Sequence, residues 1–149
     1  MKSLVGQYHD EGYGHFEIID FDHQAEDDKS YRSDSSQGID SEAYFHAISK
    51  AMSTQTGLSE PVLFSPITKL FGSAYVFTHF DGPLFNVSMV NIKQNKQGEL
   101  ASYLGRISTG VFVEEKGLGM FDNFWSGRHG KRAVEDNVQE QAEVWFNKV

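Results

Sequence analysis

The side chains most able to do chemistry in this chain are its histidines and the carboxylates near them. Asp20, Asp22 and His23 fall close together, with His9 and His15 shortly before them, and carboxylate with imidazole is a donor set for zinc, manganese or iron. The spacing argues against a metal centre. There is no helical His-x-x-x-His pair, no His-Glu-x-x-His and no calcium-loop pattern, and strand alternation turns Asp20 and Asp22 away from His23. Solvated polar residues beside a turn are the plainer reading, so no metal and no cofactor is assigned. His79 and Asp81 flank a second turn and have the types of an acid/base pair, but no nucleophile is fixed beside them and no catalytic residue is assigned. Gly127-Arg128-His129-Gly130-Lys131-Arg132 is a basic loop without the spacing of a phosphate-binding or dinucleotide motif, and an exposed connector is the simpler assignment.

Two groups could bind rather than react. Tyr75, Phe77, His79, Asn86 and Tyr103 combine aromatic walls with a few polar groups, the chemistry of a small-molecule pocket. Asp22, Glu26, Asp27 and Asp28 lie in an acidic stretch. Residues 1–42 hold eleven acids against three bases, which is the whole of the net charge of −8, because the other 107 residues hold ten of each. Such a surface repels nucleic acid and suits a basic protein partner, although an acidic face also simply keeps a protein soluble. Phe124 and Trp125, on a glycine-rich stretch, are candidates for the same partner surface.

The elements that must position these groups follow from periodicity. Residues 73–116 alternate apolar and polar between turn signals at Asp81-Gly82 and Asn95–Gly98, as a curled antiparallel meander should. Grouping the apolar positions places Val76 beside Val87 or Met89, with Asn86 and Ser88 on the face of Tyr75 and Phe77. Gly105 and Gly110 mark bends in the last strand. Aspartate at Val76 or Val111 should then abolish folding, whereas aspartate at Ser108 should not.

Upstream, Leu4–Tyr8 and Phe16–Phe21 form a hairpin, and residues 23–39, rich in Asp and Ser, form a mobile acidic loop. Asp40 caps a helix over Ser41–Ser53, Pro61–Phe64 is extended, and Ser65-Pro66 opens a short helix to Phe71. Val134, Val138, Ala142 and Trp145 recur at helical spacing, predicting an amphipathic helix over Ala133–Lys148.

The expected fold is one α+β domain over residues 1–149: a curved antiparallel sheet of about five strands, with an early helix, a short middle helix and a C-terminal amphipathic helix packed on it. The chain has no cysteine, its amino terminus turns polar too early for a signal peptide, and no run reaches a membrane span's ~20 apolar residues, so a cytoplasmic location without membrane contact is expected. Function is expected to be non-enzymatic: an interaction protein engaging a basic partner through its acidic N-terminal region. A domain binding a small apolar or aromatic ligand on the concave sheet face is the alternative, and a small hydrolase comes third. A homodimer is compatible with each, since twofold dimers are the commonest assemblies.

Overall fold

Alternation with a period of two recurs along nearly the whole chain, and it builds one sheet that closes on itself. The structure, a computed structural model, describes residues 2–20, 41–54, 61–66, 74–113, 115–121 and 137–149. Its strands are β1 (Gly6–Asp10), β2 (Gly14–Asp20), β3 (Pro61–Pro66), β4 (Ala74–Asp81), β5 (Leu84–Gln94), β6 (Leu100–Val113), β7 (Gly117–Phe121) and β8 (Val144–Lys148). Each pairs antiparallel with its neighbour in sequence, and β8 returns to β1 through Tyr8↔Lys148 and His9↔Asn147. The result is a closed eight-stranded barrel rather than the α+β sheet of about five strands expected. Closure removes both sheet edges, the exposed backbone that an open meander would have had to cover.

The lumen holds the core. Tyr8, Ile18, Leu63, Phe77, Val87, Phe112, Leu118 and Phe146 represent all eight strands in a single buried cluster. Phe112 sits at its centre, with ring centroids 4.9 Å from Phe85, 5.7 Å from Phe77 and 6.2 Å from Tyr8. Gly110 makes room among them: a Cβ there would stand 2.8 Å from Val87 Cγ2. An apolar lumen with His9, His15, Glu17 and Asn147 on outward positions is the reverse of the pattern in a lipid-facing barrel. No helix among the described residues is long and apolar enough to cross a membrane.

Helix α1 (Ser41–Ser53) occupies the range its spacing predicts, with Lys50 complementing the dipole in its last turn. Ala47, Ile48, Ala51 and Met52 are buried. They face outward-pointing Ala74, Val76 and Val90 on β4 and β5, with Ile92 and Leu104 alongside, and Phe45 meets Phe64 edge-on at 5.0 Å. The helix therefore covers the outside of the barrel, so β4 and β5 are buried on both faces. This explains a correction to the register. Val76 pairs with Ser88, and Phe77 with Val87, so Asn86 and Ser88 share the outer face with Val76. Apolar content could not mark the lumen side because the helix demands apolar residues on the other.

Two further expectations are corrected. The C-terminal segment is not a helix to Lys148: of its described residues only α2 (Val138–Gln141) is helical, and β8 follows with Val144 and Phe146 turned into the lumen. Ser108 is 6% exposed and pairs with Val87 on the lumen side, so it is not a tolerant surface position. A register shift on β5 between Ser88 and Val90, opposite Gly105, reverses which β6 residues point inward, so Tyr103 and Ile107 do not share a face. Of the expected middle helix, Pro66 ends β3 and the remainder lies outside the described residues, as does the acidic loop 23–39.

Candidate functional site

The two ends of the barrel differ. At one end, which carries the chain's amino terminus, the turn at 82–83 and the turn at 115–116, the lumen is sealed. A 3-10 turn (Lys2–Leu4) brings Leu4 and Val5 onto the core, and the Tyr8 hydroxyl donates to the Leu4 carbonyl at 2.7 Å. Burial pushes that phenol up to about 12. The Lys148 ammonium donates to the Ser3 carbonyl, and Val149 N–H donates to the Gln7 carbonyl at 2.9 Å, tying both termini across the same end.

At the other end the described lumen-side positions are less deeply buried. β5 and β6 run past their neighbours as an overhanging hairpin, whose tip is held by Asn95 Oδ1 accepting from the Gln97 and Glu99 amides at 3.0 and 2.9 Å. The lumen-side positions here are Tyr75, Met89 and Asn91, all half-buried, with Tyr103 directly opposite Asn91. A Cβ on Gly105 would stand 2.9 Å from Asn91 Nδ2 and 3.1 Å from Met89 Cε, so the glycine lets these two side chains lie close against the β6 backbone. Tyr13, on the β1–β2 turn, packs on the rim of the core with its ring 6.1 Å from Phe146. Burial first, and the nearby Tyr13 phenol second, push the Tyr75 hydroxyl up to about 12. It is therefore a neutral donor at any physiological pH.

Beside Tyr75 in register lies Ser65, fully buried, whose hydroxyl has no hydrogen-bond partner. An unpaired buried hydroxyl costs about 1–3 kcal/mol, a debt that a polar atom in the upper lumen would relieve. The described side chains at this end thus combine aromatic and thioether groups with an amide and two hydroxyls, the mixture of a small-molecule site.

Of the residues proposed for a ligand, the structure brings Tyr75 and Tyr103 to this mouth. Tyr103 is 47% exposed, with Lys93 Nζ 5.7 Å above its ring. Phe77 faces the lumen too, but it is fully buried in the packed core. His79 is at the sealed end, exposed, its Nε2 within 3.0 Å of the Gly82 carbonyl and its ring edge-on to Phe85. Asn86 stands on the outer face between Thr78 and Thr109. Asp81 ends β4, exposed, beyond a register shift that separates it from His79. Asp22, Glu26, Asp27, Asp28, Phe124 and Trp125, and the basic stretch 127–132, lie outside the described residues. Met89, Asn91 and Ser65 were missed; the alternation of β5 could have nominated the first two had the lumen side been identified. Among the described residues no three His, Asp or Glu side chains come together as metal ligands. Comparison of the chain with protein-family models, with curated proteins and with solved structures returns no match.

Proposed function

We propose that this barrel binds a small, largely apolar or aromatic molecule at its less deeply buried end, between Tyr75, Met89, Asn91 and Tyr103. The observation that supports the reading is the asymmetry of the described lumen positions, fully buried around Phe112 and less deeply buried at Tyr75, Met89 and Asn91. An eight-stranded barrel is just wide enough either to fill itself with side chains or to hold one small ligand. A cytoplasmic site of action belongs to the same reading and rests on the cysteine-free composition.

Native mass spectrometry of gently purified protein, with an apolar fluorescent reporter such as anilinonaphthalene sulfonate, tests it. Expected is either retained mass lost on denaturation or saturable reporter binding at one equivalent, abolished by Met89→Trp, which fills the mouth. Absence of both, or reporter binding indifferent to Met89→Trp, would overturn the reading. A second reading, engagement of a basic protein through the acidic first 42 residues, rests on their charge imbalance alone. It calls for an association that weakens steeply with salt, since screening acts within ~8–10 Å.

A further inference from the structure

His9 on β1 and His15 on β2 are direct cross-strand partners. Their neighbours Tyr8 and Phe16 stack inside the lumen at 5.6 Å, so alternation turns both imidazoles outward. The two rings are in contact, with centroids 4.2 Å apart and planes at 36°. His15 is exposed and His9 half-buried.

Packing does not account for this pairing. An outward position needs no ring, and imidazole against imidazole buries little apolar surface. What the pairing does achieve is to gather ring nitrogens at one point of the surface. Opposed residues on antiparallel strands hold their Cβ atoms ~4.5–5.5 Å apart, a span that two imidazoles bridge by each placing a nitrogen ~2.0–2.1 Å from a shared ion. The backbone beneath is fixed in advance. β1 is paired on both sides, to β2 along Gly6–Asp10 and to β8 at His9↔Asn147. The next side chain in the row, Asn147, is itself anchored, its Oδ1 accepting from Trp145 Nε1 at 3.0 Å. Binding would therefore order little beyond the torsions of two side chains.

We propose that His9 and His15 form a metal site on the outer wall of the barrel, taking a divalent late transition ion, Cu(II) in preference to Zn(II) or Ni(II). Imidazole suits these ions, and copper heads the affinity order. Two protein ligands leave the remaining positions to water or to a donor from another molecule. Structural zinc sites use four protein ligands, so this one is open and exchangeable. It is independent of the mouth, since the histidines face away from the lumen.

The test is titration of the full chain with copper sulfate and zinc chloride, followed by calorimetry and by electron paramagnetic resonance of the copper form. Expected is one saturable equivalent whose copper spectrum shows two imidazole nitrogens, with a metal-dependent rise in melting temperature because the ion binds the folded hairpin. His9→Gln and His15→Gln each lose the equivalent and the rise, while His46→Gln and His79→Gln, at exposed histidines elsewhere, keep both. As a check that needs no variant, zinc should shift both imidazoles together in nitrogen-15 spectra of the wild-type chain. Unchanged binding in His15→Gln, a one-nitrogen copper spectrum, or zinc shifts confined to other histidines would overturn the proposal.

Discussion

Gly117→Ala is the sharpest test of barrel closure, because it acts where β7 meets β8. A Cβ at Gly117 would lie 2.1 Å from the Phe146 carbonyl oxygen, 3.1 Å from that carbonyl carbon and 2.8 Å from Trp145 Cζ2. Carbon atoms pack at ~3.5–4.0 Å and the oxygen only slightly closer, so the two strands must separate by roughly 1 Å. A separation of that size breaks ladder bonds of ordinary length, such as the one from Lys148 N–H to the Lys116 carbonyl at 2.9 Å. Two such bonds are worth about 1–3 kcal/mol, and the overpacking of Trp145 costs about 1–3 kcal/mol more. We expect Gly117→Ala to destabilise by about 2–6 kcal/mol, a large share of the ~5–15 kcal/mol available to a domain. Urea unfolding followed by circular dichroism measures it. Gly12→Ala is the control, since its Cβ would meet only Asp10 Oδ1 at 3.3 Å on an exposed turn. If Gly117→Ala lies within about 0.5 kcal/mol of wild type, as ordinary surface substitutions do, β8 does not lie against β7 and the barrel is not closed as described.

Three more outcomes follow from the packing. Ser108→Asp should abolish cooperative thermal unfolding, because it sets an unpaired charge in the lumen beside Val87, whereas Ile107→Asp on the outer, exposed side should fold. Thr78 Oγ1 and Ser88 Oγ are buried without partners on the outer face of β4 and β5; Thr78→Val keeps the shape and removes the unpaired hydroxyl, so it should stabilise by up to about 1–3 kcal/mol in the same urea assay. Tyr8 and Tyr75 ionise near 12 in the folded chain instead of near 10, so between those values the unfolded state loses protons first and stability falls as pH rises. The fall should reach about 1–2 kcal/mol for each after allowance for solvent contact, and late phenolate absorbance in an alkaline titration, with no early component lost in Tyr75→Phe, would check it.

What the sequence made legible is local. The spacing of Ile48, Ala51 and Met52 is helical and nothing competes with it, so α1 is found to the residue. The hairpins around residues 11–13 and 95–99 announce themselves by their turn chemistry. Closure is a different kind of property. It depends on pairing Tyr8 with Lys148, at opposite ends of the chain, and no local period encodes that. The strands that complete the circle are also the shortest. In β8 the apolar residues on the lumen side are Val144 and Phe146, too few to establish a period of two against the helical spacing that Val138, Ala142 and Trp145 also satisfy. In β7 the outward positions Gly117 and Gly119 carry no side chain, so alternation there is invisible.

The candidate mouth was half legible for a related reason. Tyr75 and Tyr103 lie on the lumen side at this end, whereas Asn86, expected on the same face, lies on the outer one. Parity names the lumen only when one face of a strand meets water. With α1 against the outside, Val76 and Val90 beneath it are as buried as Phe77 and Val87, and Thr78 and Ser88 are buried on the same outer face. That arrangement also separates two tasks. The helix and the sealed end supply burial from outside and below, so the barrel depends less on the half-buried side chains of Met89 and Asn91 than on the core around Phe112. On the proposed reading, Met89→Trp should cost binding without costing the fold, which makes it a test of function where Gly117→Ala is a test of structure.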